Sequence, residues 1–120
     1  MRVECIQIFS STTGERFTES PWLTVGKTYT VLALSAETGR EVTLRLVGDD
    51  GQTPSLFPST LFETVDNNIP PQWIVKLEDT GTVHLAPRDW LRDGFWEDYF
   101  DGDLAARDAF NAARRSIEGE

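Results

Sequence analysis

The chain has 120 residues, of which 20 are acidic and 11 are Lys or Arg, so its formal net charge is −9. Hydrophobic residues make up 39% and charged residues 26%, a balance typical of a folded domain rather than a disordered chain. The single Cys and the single His exclude an internal disulfide and a metal centre rich in His or Cys. The acidic charge also argues against a nucleic-acid partner, because phosphate contacts need clustered Lys and Arg.

The first residues do not have the pattern of a targeting segment. Their short apolar run is interrupted by Glu4 and Gln7, so it lacks the continuous apolar core of a signal peptide. No run in the chain approaches the ~20 apolar residues of a membrane-spanning helix. We therefore expect a cytoplasmic protein with no membrane partner. Cys5 is expected to be a buried hydrophobic residue, because Glu4 rather than a cation stands beside it.

The first two thirds of the chain alternate short apolar runs with turn residues. The strand signal is clearest over residues 41–47, where Val42, Leu44 and Leu46 alternate with polar residues. Asp50-Gly51 then indicates a hairpin turn. Strands are predicted over residues 3–9, 28–35, 41–47, 54–57, 62–65, 73–77 and 82–86, with a 3₁₀ turn at 59–61. The last pair of predicted strands forms a second hairpin.

The end of the chain is predicted to be helical over residues 104–117. Asp103 is a favoured N-cap residue, and the Ala-rich sequence that follows it favours a helix. Four residues fall on one face of that helix: Ala106, Phe110, Ala113 and Ile117. We therefore expect this narrow apolar face to pack on the sheet.

Residues 23–65 resemble an SH3-like small barrel. The resemblance is carried by a Gly26-Lys27-Thr28-Tyr29 entry strand, a hairpin, and a short turn that contains Pro58. It implies an α+β fold, mainly antiparallel β, in which an SH3-like small barrel carries an added hairpin and a C-terminal helix. We expect a single domain over residues 1–120, with the β-rich barrel in 1–86 and the turn and helix in 87–120.

Residues 89–103, called the acidic aromatic segment below, are the most unusual part of the chain. They hold six acidic residues, one basic residue and five of the 13 aromatic residues. Two interpretations are open and compatible: the rings anchor the last helix to the sheet, or the segment presents aromatic and acidic groups to a basic protein. The predicted partner-binding residues are Asp93, Trp96, Glu97, Asp98, Tyr99 and Asp101.

The residue patterns do not specify a catalytic or metal site. Asp101-Gly102-Asp103 lacks the longer ligand series of a calcium loop, and Gly26-Lys27-Thr28 lacks the earlier Gly of a phosphate-binding loop. His84 is predicted to point away from Val83 and Leu85, without the orienting partner that a general base needs. We therefore expect no enzymatic activity, no cofactor and no metal.

The whole chain also resembles small acidic bacterial proteins of uncharacterised type. The resemblance is carried by residues 22–29, 69–75 and 94–103, which read WLTVGKTY, IPPQWIV and GFWEDYFDGD. It implies an immunity protein, whose acidic surface covers the basic active site of a toxin. The alternative is an SH3-like adaptor or a regulatory subunit of a larger assembly, which would hold a peptide in an apolar groove. The sequence leaves the oligomeric state open.

Overall fold

The computed structural model describes residues 1–10 and 12–119. Within these residues the fold is mainly antiparallel β with two α-helices, so the α+β class is confirmed. The strands are β1 (Arg2–Cys5), β2 (Ile8–Phe9), β3 (Arg16–Phe17), β4 (Thr28–Thr30), β5 (Ala33–Ala36), β6 (Thr43–Val47), β7 (Pro54–Pro58), β8 (Phe62–Asp66), β9 (Trp73–Leu77) and β10 (Val83–Pro87). The helices are α1 (Phe95–Phe100) and α2 (Leu104–Glu118), and two 3₁₀ turns cover Ser59–Leu61 and Arg88–Leu91.

The strands form two main sheets and one small ribbon. A three-stranded sheet has the order β4-β1-β8, and a five-stranded sheet has the order β7-β6-β5-β10-β9. Strands β2 and β3 pair only with each other in the described part of the chain. The two predicted hairpins are present as β6-β7 and β9-β10. None of these sheets, over residues 1–10 and 12–119, closes into a barrel.

One extended segment, residues 28–36, belongs to both main sheets. Its first half pairs with β1 and its second half pairs with β6 and β10. At the crossing point the N–H of Val31 donates to the carbonyl of Met1, and the N–H of Leu32 donates to the carbonyl of Arg45. The strand predicted over 28–35 is therefore interrupted there. Val31, Leu32 and Ala33 are all buried, because the segment bends instead of keeping the alternation of a single sheet.

The C-terminal helix follows the prediction closely. The Asp103 carboxylate accepts a hydrogen bond of 2.9 Å from the N–H of Ala106, which is the arrangement of an N-cap. Ala106, Phe110 and Ile117 are buried against the core. The helix then ends at Gly119. Burial of the large apolar side chains on this face contributes about 1.5–3 kcal/mol each.

The acidic aromatic segment connects β10 to α2. It contains a 3₁₀ turn and α1, joined by Gly94, whose φ of 79° lies in the left-handed region that favours glycine. Residues 90–96 pass in front of one face of the five-stranded sheet and form one wall of a cavity there. In the described part of the chain, the helices are all too short or too polar to cross a membrane.

Candidate functional site

The rings of the acidic aromatic segment form a cluster that holds α2 in place. Trp90, Phe95 and Tyr99 are buried. The ring centres of Trp90 and Tyr99 each lie 5.0 Å from that of Phe110 in α2. Trp96 lies at the edge of this cluster, 5.9 Å from Phe110. The rings therefore pack in the way that the first interpretation expects, with the segment anchored to α2.

The six predicted partner-binding residues do not share one surface. Glu97 and Asp101 are exposed. Asp98 forms an ion pair of 2.9 Å with Arg92, and Tyr99 is buried, so a contribution of its ring to binding would be indirect. The other two, Asp93 and Trp96, line the cavity against the sheet.

Two exposed apolar side chains outside the predicted set are close in sequence to the exposed acids. Phe100 is 53% exposed and Leu104 is 77% exposed. Together with Glu97 and Asp101 they form what we call the acidic–apolar surface. Among residues 1–10 and 12–119, neither of these two carboxylates has an ion-pair partner. An aromatic ring next to unpaired carboxylates is a common composition for a protein-binding surface.

The second candidate site, called the sheet cleft below, is the cavity between the five-stranded sheet and residues 90–96. Its volume is about 310 Å³. The strand register places one polar row across its floor, because Ser35 is opposite both Thr43 and His84, and His84 is opposite Lys76. Sequence reasoning missed this row, because it joins residues of four strands that are as far as 49 positions apart.

His84 has partners on both sides of its ring. Its Nδ1 lies 2.7 Å from the Ser35 hydroxyl, and its Nε2 lies 3.5 Å from the Glu78 carboxylate. The expectation that His84 lacks an orienting partner is therefore wrong, because the partners come from a neighbouring strand and from the turn that follows β9. Its predicted orientation away from the core side agrees with its place in the cleft.

The contacts resemble those of a catalytic triad, with Ser35 in the place of the nucleophile, His84 in that of the base and Glu78 in that of the orienting acid. However, Ser35 lies inside β5, which is paired along both edges, whereas a nucleophilic Ser of this kind often stands on a sharp, exposed turn. The arrangement therefore suits a polar binding surface better than a nucleophile.

Arg45 is the most unusual charge in the sheet cleft. Its guanidinium carbon lies 3.7 Å from the centre of the Trp96 ring, and its Nη1 donates a 2.9 Å hydrogen bond to the carbonyl of Pro54. No carboxylate of the described residues lies within ion-pair distance of it. Burial lowers the pKa of Arg45 to about 10, so the group is still charged at neutral pH.

The other cation on the floor of the cleft, Lys76, is already engaged. Its Nζ donates to the carbonyl of Leu91 at 2.9 Å and lies 3.7 Å from Asp93 and 4.0 Å from Glu78. These contacts leave Arg45 as the cleft cation that lacks a neutralising partner in the described part of the chain.

Cys5 does not have the environment of a reactive thiol. It is fully buried between strands, and burial raises the pKa of its thiol, as expected for a structural cysteine. Over residues 1–10 and 12–119, the structure brings no three His, Cys, Asp or Glu side chains together in a geometry for a metal ion.

Comparison of the chain with models of protein families, with curated protein sequences and with solved structures gives no match.

Proposed function

We propose that this chain is a non-catalytic protein-binding domain that holds a basic protein on its acidic–apolar surface, as a bacterial immunity protein covers a toxin. The observation that carries the proposal is the position of Phe100, which is 53% exposed beside Glu97 and Asp101. An exposed ring supplies contact area, and unpaired carboxylates select and orient a partner rich in Lys and Arg.

The packing beneath this surface supports the proposal. Trp96 and Tyr99 contact the Phe100 ring from below, with ring centres 6.1 and 5.0 Å away. A surface held by a rigid aromatic cluster loses little conformational entropy when a partner binds. The net charge of −9 also speeds the approach of a basic partner through long-range attraction.

The SH3-like arrangement is the finer part of the proposal. Its support is the connectivity: residues 28–36 are shared by both main sheets, a 3₁₀ turn separates β7 from β8, and β8 returns to pair with β1. In this view the hairpin β9-β10 is an addition to the edge of β5. We describe it as an open SH3-like sheet pair, since the sheets of the described residues do not close into a barrel.

The alternative function is an adaptor that binds a peptide beside Trp22. This ring is 47% exposed and lies in the loop between β3 and β4. An exposed Trp next to an SH3-like sheet favours an apolar, weakly charged partner. The two functions therefore differ in the sensitivity of binding to salt.

The test is a pull-down of the tagged chain from the lysate of its own cells, eluted in steps of rising salt. The variants Glu97→Lys and Phe100→Ala should lose a stoichiometric basic partner. Glu63→Lys and Val65→Ala are the matched controls, because both side chains are exposed on β8, which belongs to the three-stranded sheet. The controls should keep the partner. The recovered protein should be toxic alone and harmless when the chain is co-expressed.

The opposite pattern would support the adaptor. In that case the partner would resist salt, would bind Glu97→Lys and Phe100→Ala normally, and would be lost with Trp22→Ala. A partner that binds all four variants of the first experiment equally well would place the binding surface outside the acidic–apolar surface.

A further inference from the structure

We propose that the sheet cleft binds a small monocarboxylate with an apolar body, and that Arg45 holds its carboxylate. This ligand would bind independently of the proposed protein partner. The guanidinium of Arg45 lines the cavity, lies against Trp96 and has no carboxylate partner among the described residues.

The donors of Arg45 are largely unused. The hydrogen bond to Pro54 engages Nη1, and in the described part of the chain no other acceptor is bonded to the group. Arg45 is partly buried, and a charge that is partly withdrawn from water is stabilised by an ionic partner. The ring of Trp96 fixes one face of the planar group. A guanidinium held in this way presents the edge that binds a carboxylate in a two-point contact.

The charges of the cleft indicate a ligand with a single negative charge. Three cations line it: Lys76 lies within 4.0 Å of Glu78 and Asp93, and Arg92 is paired with Asp98. Arg45 is therefore the lining cation without an ionic partner in the described part of the chain, and a ligand with one negative charge would pair with it. A doubly charged phosphate would meet stronger repulsion from the nearby carboxylates than a monocarboxylate would.

The rest of the cavity suits an apolar body. Leu56, Leu91, Ala33 and Ala86 line it, and its volume of about 310 Å³ is at the small end of ligand pockets. Another wall residue, Trp90, has a buried indole N–H without a hydrogen-bond partner in the described residues. Unsatisfied buried donors are uncommon in folded proteins, and this one lines the same cavity as the unpaired cation.

The test uses 2-naphthoate as the probe, with the full chain observed by NMR through the indole N–H signal of Trp96. Its neutral analogue 2-naphthamide and the doubly charged 2-naphthyl phosphate are measured in parallel. We expect saturable shifts with 2-naphthoate and affinity weaker by ~10-fold or more for both analogues. Equal binding of the amide, tighter binding of the phosphate, or the absence of saturation with 2-naphthoate would each overturn the proposal.

The variants assign the effect to Arg45. Arg45→Met should weaken 2-naphthoate binding ~10-fold or more, because the charged two-point contact is lost. Arg40→Met removes an exposed cation outside the cleft and should leave the affinity unchanged. Undiminished binding by Arg45→Met would contradict the assignment.

Two variants of Leu56 test the role of Arg45 even if Arg45→Met does not fold. Leu56 is exposed and lies directly opposite Arg45 in the register of β6 and β7. Leu56→Glu therefore brings a carboxylate beside the guanidinium and should compete with the probe, while Leu56→Gln changes the shape without the charge. Weaker binding in Leu56→Glu alone supports the proposal, and equal binding in the two variants contradicts it.

Discussion

The guanidinium of Arg45 and the ring of Trp96 lie in direct contact, with 3.7 Å between the guanidinium carbon and the ring centre. This cation–π contact joins β6 of the five-stranded sheet to α1. The edge of the same Trp96 ring faces Tyr99, with ring centres 5.6 Å apart. One side chain therefore connects the sheet cleft to the aromatic cluster that supports the acidic–apolar surface.

We expect Arg45→Met to leave the free energy of unfolding within about 1 kcal/mol of the parent chain, or to raise it, although it removes the contact with Trp96. The reason is that a partly buried charge without an ionic partner carries a desolvation cost, and an apolar residue of similar length avoids it. Residues that serve binding often lower the stability of the folded protein, so their replacement can raise it. Urea unfolding gives the measurement, and a loss above about 2 kcal/mol would indicate a purely structural Arg45.

Asp49 links three parts of the chain through its carboxylate. It accepts hydrogen bonds of 2.7 Å from the hydroxyl of Thr24, 2.8 Å from Lys27 and 2.8 Å from the hydroxyl of Tyr29. Burial opposes ionisation, but these three donors outweigh it and hold the pKa of Asp49 below its usual value. Burial, together with the bond to Asp49, raises the pKa of Tyr29 to about 12.

We therefore expect Asp49→Asn to lower the free energy of unfolding by about 1–3 kcal/mol at neutral pH. Because the pKa is depressed on folding, the contribution of the ionised group is complete above the unfolded value of about 3.9. It is lost as the pH falls through the lower folded pKa, so the two unfolding curves should converge below pH ~4. Asp79→Asn, in the exposed turn of the β9-β10 hairpin, is the control. If the difference in unfolding free energy between Asp49→Asn and the parent chain did not change with pH, the loss would come from altered packing or hydrogen bonding and not from the charge of Asp49.

Gly48 allows the turn after β6 to approach the loop that carries Trp22. The N–H of Asp49 donates a 2.7 Å hydrogen bond to the carbonyl of Trp22, and a Cβ on Gly48 would collide with that same carbonyl oxygen. We expect Gly48→Ala to cost about 1–3 kcal/mol in thermal or urea unfolding. Adding Trp22→Ala should not restore stability, because the obstacle is the main chain of residue 22. Restoration by that second change would show that the side chain was responsible.

Truncation of two Phe residues in the last two helices should change stability by very different amounts. Phe110 is fully buried and contacts Trp90 and Tyr99, so Phe110→Ala should lower stability by about 3–5 kcal/mol. Phe100 is half exposed, and Phe100→Ala should change stability by about 1 kcal/mol or less. Urea unfolding separates the two, and near-ultraviolet circular dichroism reports the packing of the rings. A similar loss in both variants would mean that Phe100 belongs to the core.

Local patterns predicted most of the elements, because each depends on neighbours in the chain. The hairpin strand β9 and the 3₁₀ turn at Ser59–Leu61 lie where the sequence placed them, and α2 ends one residue beyond the prediction. Asp103 caps α2 as expected, because an N-cap needs only an acceptor three residues before an N–H. The break in residues 28–36 was missed, because it depends on which sheet each half joins.

The sequence by itself determined the acidic charge, the α+β class and the apolar face of α2, since composition and periodicity are properties of the chain alone. Only the tertiary structure decided which side chains share a site. Register across four strands brought Thr43, Ser35, His84 and Lys76 into one row. The fold of the acidic aromatic segment divided its residues between the cleft, the core and the surface. These relationships depend on contacts between residues far apart in the chain, which no local pattern encodes.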